Sequence, residues 1–329
     1  MKKITILAFD SAPATTITGP MDVFQFAGRF FNAASGVPAA PLFEVEVVTP
    51  TGSPVQCSNN IAISPHRAMD EVTETDIILI SAVWDIETTL VRQKKAIHWL
   101  QDHYGRGTNI AGLCTGAFIL AATGLLNGKD ATTHWGVTDL FNQLYPEVNL
   151  KPERLITDAG DLFCSGAFNA CLDLALYLVA KFVGHEVAVQ SSKALIHDIG
   201  RVSQTPYMCF NFQKNHNDEP IMKAQRLMEK EFNTPFDIER LAQQNGMSRR
   251  NFERRFKNAT GDTPLLYLQR VRVEEAKKIL ETENKSFDEV SYRVGYEDSS
   301  FFRKIFIKHA GLRPGEYRTK FQRAWDFRP

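Results

Sequence analysis

The sequence predicts an α/β domain built on a doubly wound, mostly parallel sheet, followed by a second domain that is all α. Short apolar runs alternate with helical patterns across residues 1–183, and no strand candidate follows Ile221. Such alternation is typical of a parallel sheet with helices on both faces. A third observation is a Phe–Gly–Pro–Tyr frame that occurs twice in the C-terminal third, 50 residues apart. A unit repeated at a fixed spacing indicates one structural module used twice.

The strand candidates of the first domain are short and almost entirely apolar, as expected of strands covered on both faces. They are Ile4–Phe9, Phe43–Val48, Ile77–Ser81 and Asn109–Leu113, with shorter ones near Leu155–Thr157 and Leu162–Cys164. Helical patterns fit Pro20–Phe31, Val91–His103, Gly116–Thr123 and Ala167–Val183, and residues 184–200 fit one more helix. This order predicts a flavodoxin-like sheet, in which ligands bind beyond the carboxyl ends of the strands.

We divide the chain into three parts. Residues 1–200 form the predicted α/β domain, residues 201–220 a linker, and residues 221–329 the helical domain. The linker is placed where Pro206, Pro220 and several asparagines interrupt any periodicity, as is typical of connecting segments.

Charge is divided between the two halves, although the net charge is zero. Residues 220–329 hold 23 Lys and Arg against 16 Asp and Glu, whereas the remainder holds 15 against 22. A basic C-terminal half points to a polyanionic partner.

Cysteine usage and hydropathy exclude several classes of protein. The five cysteines have no CxxC spacing, which argues against a disulfide framework or a zinc site. We therefore expect no metal and no cofactor. The N-terminus is too short for a signal peptide, and no apolar run reaches membrane-spanning length. These patterns predict a cytoplasmic protein with no membrane partner.

The first repeat predicts a helix-turn-helix. Asp237 caps a helix, Gly246 makes the turn, and Ser248 caps a second helix whose Phe252 and Phe256 face the core. The outer face of this second helix is mainly basic, and such a helix can enter the major groove of DNA. Its outward residues are Arg249, Arg250, Glu253 and Arg254.

The second repeat predicts the same fold. Ser286 begins a capping box, Gly295 makes the turn, Asp298 caps the next helix, and Phe302 and Phe306 form its core face. Its outward residues are Ser299, Ser300, Arg303 and Lys304. A long helix over Pro264–Thr282 is expected to hold the two units at a fixed separation. Entry into successive grooves on one face of B-DNA would place them about one turn, ~34 Å, apart.

Together the two units resemble the DNA-binding domain of the AraC/XylS family of transcriptional regulators. The matched positions are Ala242, Gly246, Met247, Ser248, Phe252, Arg255, Phe256, Gly261, Pro264, Tyr267 and Arg270, then Gly295, Tyr296, Phe302, Phe306, Gly311, Pro314, Tyr317 and Arg318. The resemblance implies binding to double-stranded DNA, usually as an activator that recruits RNA polymerase. By position it assigns base contacts to Arg250, Glu253 and Arg254, and to Ser299, Ser300, Arg303 and Lys304.

A cysteine stands at the turn between the strand candidate Asn109–Leu113 and the helix that follows. A nucleophile at such an elbow is exposed above the sheet, and a nearby helix N-terminus lowers the pKa of a thiol. With His134 downstream and a third, orienting group, Cys114 would form a nucleophilic site.

This domain resembles the DJ-1/PfpI superfamily over roughly residues 3–185, including Gly19-Pro20 and Ser165-Gly166. Joined to the AraC-type tail, it makes the whole chain similar to GlxA-type transcriptional regulators. The resemblance implies that Cys114 is the elbow cysteine, that His134 is a pocket histidine, and that the protein forms a homodimer.

Three positions depart from the catalytic pattern of that superfamily. Thr115 stands where hydrolytic members carry histidine, and the acidic partner of the cysteine falls near Thr16. The segment Ser81-Ala82-Val83-Trp84 replaces the glycine-rich turn that supplies oxyanion donors. Because such donors typically contribute ~3 kcal/mol or more to catalysis, we expect the domain to be catalytically degenerate.

The expected ligand site lies at the carboxyl ends of the strands, around Asp10, Trp84, Cys114, Thr115 and His134. An aromatic wall suits a cation, and the resemblance suggests an effector that is an amine or is derived from an amino acid.

Several roles stay open at the cysteines and at the histidine. Cys114 is compatible with a pocket or structural residue, a redox-sensing thiol or a nucleophile. His134 is as compatible with a structural role beside Trp135 as with a contact to the ligand. Cys164, Cys171 and Cys209 are interpreted as core residues, and Cys57 is given no role.

The leading hypothesis is a sequence-specific DNA-binding regulator, an activator and not an enzyme, whose first domain dimerises and senses a small metabolite. The alternative is a cysteine-dependent amidase or glyoxalase-like enzyme with a tethered DNA-binding domain. A third hypothesis is a dimerisation module with a vestigial pocket.

Overall fold

The chain divides into two compact units, Met1–Gln204 and Thr205–Pro329, in a computed structural model. Residues 1–29, 32–33, 36, 38 and 41–322 are described. The end of the predicted helix Pro20–Phe31 and the last residues of the predicted domain 221–329 lie outside them.

The first unit contains a seven-stranded sheet in the order β10-β11-β7-β6-β1-β2-β5. All its pairings are parallel except that of β10 with β11. The strands of the unit are β1 (Lys2–Leu7), β2 (Phe43–Thr49), β3 (Val55–Gln56), β4 (Ala62–Ile63), β5 (Arg67–Ala68), β6 (Ile77–Ile80), β7 (Asn109–Leu113), β8 (Asp130–Ala131), β9 (Asn149–Leu150), β10 (Ile156–Asp158) and β11 (Leu162–Ser165). The predicted sheet is thus confirmed.

Helices cover both faces of the sheet. They are α1 (Thr15–Phe26), α2 (Ile86–Arg92), α3 (Lys94–Gly105), α4 (Gly116–Ala122), α5 (Thr138–Leu144), α6 (Ala170–Phe182) and α7 (His185–Leu195). Successive side chains of a strand point to opposite faces. Accordingly, Ile77 and Leu79 of β6 join the core under α1, α6 and α7, while Ile78 and Ile80 join the core under α3 and α4.

Several helix boundaries differ from the sequence prediction. The helices predicted to end at Phe31 and at residue 200 end at Phe26 and Leu195. The first helix begins at Thr15 rather than Pro20, so Pro20 lies inside it. The pattern over Val91–His103 is two helices, α2 and α3, because the backbone at Gln93 leaves helical geometry.

The second unit is helical throughout its described residues after Asp218. Its helices are α8 (Glu219–Lys230), α9 (Ile238–Gln244), α10 (Arg249–Thr260), α11 (Pro264–Thr282), α12 (Phe287–Arg293), α13 (Ser299–Ala310) and α14 (Pro314–Phe321). The predicted long helix, α11, begins and ends at the residues expected.

Two separate cores lie along α11. Tyr267, Leu268 and Val271 in its first half pack with α8, α9 and α10. Val273 and Leu280 in its second half pack with α12, α13 and α14. Since one rigid helix contributes to both cores, it sets the distance between them.

The predicted linker 201–220 is not an open connector. A 3-10 turn spans Thr205–Tyr207, and Phe210 and Phe212 pack against the first helical core. The Phe212 carbonyl accepts hydrogen bonds from Gln225 and from Tyr267. The stretch is therefore irregular but packed: residues 201–204 belong to the first unit, and the residues from Thr205 onward belong to the second.

Across the described part of the chain, we find no helix with both the length and the apolar character needed to cross a bilayer.

Candidate functional site

Each repeat of the second unit folds as a helix-turn-helix, with the predicted caps in place. The carboxylate of Asp237 accepts from the Glu239 and Arg240 amides, and the Ser248 hydroxyl accepts from the Asn251 amide. In the second repeat, Ser286 and Glu289 form the capping box. These side chains satisfy amides that the first turn of a helix leaves free.

The turn glycines have the backbone geometry expected of left-handed turns. Gly246 has φ 68° and Gly295 φ 86°, while Gly261 and Gly311 end α10 and α13 at φ 78° and 70°. The repeated frame is therefore a repeated backbone path.

The predicted DNA-contacting side chains of α10 lie on its solvent-facing side. Arg249, Arg250 and Arg254 are exposed, and Glu253 is half-buried. Arg249 pairs with Glu253 at 3.0 Å, and Arg254 donates to the Asn251 amide oxygen at 3.0 Å. No ion pair holds Arg250 among the residues that the structure describes, which leaves its guanidinium available.

The corresponding face of α13 is also open. Ser300, Arg303 and Lys304 are exposed, and Ser299 is half-buried. The Arg303 guanidinium lies 4.8 Å from the centre of the Phe287 ring. This contact orients the side chain, and the aromatic ring does not neutralise its positive charge.

Arg272 of α11 links the two repeats. It is buried, and it donates to the Phe232 carbonyl at 2.7 Å and to the Thr234 carbonyl at 2.9 Å. Its guanidinium also lies 4.8 Å from the centre of the Tyr296 ring. The residue thereby connects the loop before the first helix-turn-helix to the turn of the second. The repeats were predicted from the sequence, but these contacts of Arg272 between them were not.

In the first unit, Cys114 lies at the elbow between β7 and α4, with φ 53°. Its amide donates to the Ser165 carbonyl at 3.0 Å. The side chain is fully buried, and burial raises the pKa of the thiol to about 12 despite hydrogen bonds from Thr115. The thiol is thus buried rather than exposed as expected at the elbow, and its pKa is raised rather than lowered, because burial removes the hydration of the thiolate.

Two threonine hydroxyls occupy the backbone amides beside the elbow. The Ala82 amide donates to Thr16 Oγ1 at 3.2 Å, and the Val83 amide donates to Thr115 Oγ1 at 2.9 Å. Thr115 also donates to the Val83 carbonyl at 2.6 Å. An oxyanion hole needs free amides aimed at the reacting oxygen. These two amides already have partners inside the protein.

Four rings form a continuous series, here called the aromatic row: Trp84, Phe168, His134 and Trp135. The ring centres are 6.4 Å apart for Trp84 and Phe168, 5.9 Å for Phe168 and His134, and 5.2 Å for His134 and Trp135. Trp84 is 68% exposed and Phe168 37%. Exposed aromatic rings in series offer π faces to a ligand.

The aromatic row is anchored to the elbow at three places. Trp84 follows Val83, which is bonded to Thr115. His134 follows Thr133, whose hydroxyl donates to the Cys114 carbonyl at 2.9 Å. Phe168 lies three residues after Ser165, the carbonyl partner of Cys114. Phe168 was not predicted from the sequence, although it lies just beyond β11, the strand next to β7.

His134 is uncharged at neutral pH. Burial lowers its pKa below the usual value, and Nδ1 accepts from the Gly136 amide at 3.0 Å. A catalytic histidine base is normally oriented by a third polar group, whereas the neighbours of this ring are the aromatic rings of Trp135 and Phe168.

Asp10 follows β1 and is exposed. Its carboxylate accepts from the Gln56 amide at 2.9 Å and so holds the β3 segment. The ligand-binding role of Asp10 stays a prediction.

The remaining cysteines differ partly from expectation. Cys164 and Cys171 are buried, as predicted, but Cys209 is exposed and Cys57 is buried. Cys209 follows the Thr205–Tyr207 turn, where the chain is irregular and apolar periodicity gives no guide. Cys57 belongs to the core beneath the β3 segment. Within the described ranges, no three His, Cys, Asp or Glu side chains come together to hold a metal ion.

Comparison with known proteins identifies both units. Residues 2–181 match the DJ-1/PfpI family, and residues 241–320 match a helix-turn-helix domain. The chain is 25% identical to the HTH-type transcriptional regulator GlxA of Rhizobium meliloti over 291 residues, which cover 88% of this chain and 89% of that protein. The predicted combination of a DJ-1/PfpI-like domain with an AraC-type DNA-binding domain is confirmed.

Two further similarities concern the first unit alone. Isonitrile hydratase of Pseudomonas putida is 27% identical over 188 residues, 56% of this chain and 74% of the enzyme. The crystal structure of Drosophila melanogaster DJ-1beta superposes with a TM-score of 0.51 at 19% identity, covering 60% of this chain and 98% of that structure. The latter confirms the fold, while the former shows that similar domains occur in enzymes.

Proposed function

This chain belongs to the DJ-1/PfpI family and carries an AraC-type helix-turn-helix domain, and on that premise we propose that it is a transcriptional regulator whose first unit senses a small metabolite without transforming it. The DNA-binding part rests on one observation above all. Two capped helices, α10 and α13, present open faces with uncompensated cations and share the rigid helix α11. Such a pair suits two successive major-groove segments.

The proposal that the first unit binds rather than catalyses is supported by the state of the elbow. The thiol of Cys114 is buried with a raised pKa, and only a thiolate is a strong nucleophile. The amides of Ala82 and Val83 are held by Thr16 and Thr115. Covalent catalysis needs an activated nucleophile and a stabilised oxyanion together, whereas reversible binding needs neither.

We place the effector against the aromatic row, with the elbow residues Cys114 and Thr115 behind it. Stacked faces favour a cation such as an amine or an amino-acid derivative, and the neutral ring of His134 adds no repelling charge. The predicted contact of Asp10 with the effector stays part of this proposal, although its carboxylate also accepts from the Gln56 amide.

Base readers are proposed on both helices: Arg249, Arg250, Glu253 and Arg254 on α10, and Ser299, Ser300, Arg303 and Lys304 on α13. On α10, Arg250 is the strongest candidate because Arg249 pairs with Glu253 and Arg254 donates to Asn251, whereas Arg250 has no ion pair among the described residues. A homodimer formed through the first unit, and activation through contact with RNA polymerase, complete the proposal.

Binding of the full-length chain to duplex DNA from its own upstream region tests the DNA-binding part. The observed binding constant is measured at several salt concentrations. Each phosphate that the protein neutralises contributes about −0.9 to the slope of log binding constant against log salt concentration. Arg250→Ala is expected to cost ~1–3 kcal/mol at one base position and to relax specificity there. The matched control is Lys278→Ala, an exposed cation on α11. Absence of binding at every salt concentration contradicts the proposal.

The rival function, favoured by the similarity to isonitrile hydratase, is a cysteine-dependent enzyme. It is tested by incubating the protein with an alkyl isonitrile and with simple amides. We expect no turnover above the background of Cys114→Ser. Turnover that disappears in Cys114→Ser would instead establish an enzyme.

A further inference from the structure

Gln204 is the last residue of the first unit, and its side chain is 1% exposed. A glutamine at a domain boundary is normally solvated. Here its amide nitrogen donates to the Thr133 carbonyl at 2.9 Å, and it lies 3.2 Å from both Thr132 Oγ1 and the Arg154 carbonyl. Three oxygen acceptors around one end of the amide fix its orientation.

The other side of this amide is held by Gly166. A Cβ at that position would lie 2.8 Å from the Gln204 Cδ, Nε2 and Oε1 atoms. Only glycine allows so close an approach, so the amide rests flat on the backbone of Gly166. The Gln204 main-chain amide is tied as well, to the Glu153 carbonyl at 2.9 Å.

Both contacts of this amide lead to the aromatic row. Thr133, which accepts from Gln204, precedes His134 and donates to the Cys114 carbonyl. Gly166 lies two residues before Phe168. A ligand that moves the backbone of His134 or Phe168 would also shift Thr133 or Gly166, since packed backbone transmits strain.

On its other side, Gln204 is followed directly by the helical unit. Thr205 and Pro206 begin that unit, and a Cβ at Gly311 would lie 2.9 Å from the Thr205 Cβ. Gly311 ends α13, the second predicted reading helix. Thr205 and Pro206 lie in the 3-10 turn Thr205–Tyr207, which the Met208 amide closes by donating to the Thr205 carbonyl at 3.1 Å.

We propose that Gln204 is the positioning residue that couples occupancy of the aromatic row to the helical unit. The inference rests on the proposed function, because it gives that sensor its route to DNA. A change in the separation of Thr133 and Gly166 would move the buried Gln204 amide. The Gln204–Thr205 peptide bond would then move the 3-10 turn that packs against Gly311 at the end of α13.

Hydrogen exchange on the full-length chain, followed by mass spectrometry, tests the coupling without DNA or effector. Four proteins are compared: the unmodified chain, Phe168→Ala, Gln204→Ala and the double variant. Phe168→Ala is expected to change exchange at residues 205–208 by about 2- to 30-fold, the range of coupling carried by packed networks. In the Gln204→Ala background the change is expected to vanish.

A second background controls for a general loss of stability. Gln190→Ala removes a half-buried glutamine on α7 whose amide donates to Glu186 at 3.4 Å, and the effect of Phe168→Ala should persist there. Fast exchange in β6 and β7 would show that Gln204→Ala unfolds the first unit. In that case Gln204→Asn is used instead, and it should weaken the effect of Phe168→Ala on residues 205–208.

Two results overturn the proposal: a Phe168→Ala effect of equal size with and without Gln204, or no effect at residues 205–208 at all. Failure of DNA binding would refute the proposed function while leaving this measurement intact, so the two failures are distinguishable.

Discussion

Tyr267 and Tyr317 make the same hydrogen bond 50 residues apart. The Tyr267 hydroxyl donates to Glu229 Oε1 on α8, and the Tyr317 hydroxyl donates to Glu281 Oε1 on α11, each at 2.6 Å. Burial, together with the neighbouring carboxylate, raises the pKa of both tyrosines. The repeat in the sequence is thus a repeat of an interaction, and α11 plays for the second helix-turn-helix the part that α8 plays for the first.

Removing one hydroxyl should weaken one half of the helical unit. For Tyr317→Phe we expect the free energy of unfolding to fall by about 1–2 kcal/mol, the lower part of the range for hydrogen bonds to charged groups, because Glu281 is partly exposed. Urea denaturation measures the change. Tyr292→Phe, at a ring that is 75% exposed, is the matched control. Equal stability of the two variants would contradict the prediction.

Loss of Arg272 should affect DNA binding more than folding of either core. Arg272→Lys keeps the charge but loses the planar fork that contacts Phe232 and Thr234 and the stacking on Tyr296. We expect weaker binding to a site that engages both repeats and little change for either half-site alone. Fluorescence anisotropy with the full site and each half-site provides the measurement. An equal loss on all three DNAs would assign Arg272 to general stability.

Thiol labelling should follow exposure rather than position at the elbow. With iodoacetamide at pH 8, Cys209 is expected to react first because it is exposed. Cys114 should stay unlabelled in the native state, since burial raises its pKa to about 12. Peptide mapping by mass spectrometry identifies the modified residue. Cys209→Ser should abolish the fast reaction, whereas fast labelling that disappears in Cys114→Ser would support a reactive elbow.

His309 should make the helical unit less stable in mild acid. Burial, with the charges of Arg270, Lys308 and Lys277, lowers its pKa to about 4. The unfolded chain therefore binds a proton near pH 6.5 while the folded chain does not. The stability from neutral His309 is fully present above pH 6.5 and is lost as the pH falls towards 4.

The measurement is a series of urea unfolding curves between pH 4.5 and 7.5. Taking the difference between the unmodified chain and His309→Asn removes the contribution of the other titrating groups. The free energy of unfolding of the unmodified chain minus that of His309→Asn should become smaller as the pH falls. A difference that is constant with pH would show that His309 titrates normally.

The sequence predicted the helical unit well where local chemistry decides the structure. Ser248, Asp237 and Asp298 cap helices because short polar side chains satisfy the free amides of the first turn, whatever lies elsewhere. The bounds of Pro264–Thr282 were also predicted, and the structure shows that Thr263 caps this helix before the proline. Proline is less reliable when taken as a start signal, since Pro20 lies inside α1.

The candidate sensor site was predicted less well because its properties come from distant elements. The helix that follows Cys114 was visible in the sequence, but the burial that raises its pKa depends on how the whole unit packs. Phe168 joins the aromatic row only because β11 lies beside β7. Gln204 sat inside a stretch interpreted as linker, and its contacts are with residues 38 to 72 positions away.

The hydroxyls of Thr16 and Thr115 bear on how long the response of such a regulator lasts. A sensor that consumed its ligand would report the rate of supply and would erase its own signal after each event. With the amides of Ala82 and Val83 already engaged, the bound molecule would leave as it arrived. Occupancy would then follow concentration alone, and the response would last as long as the metabolite does.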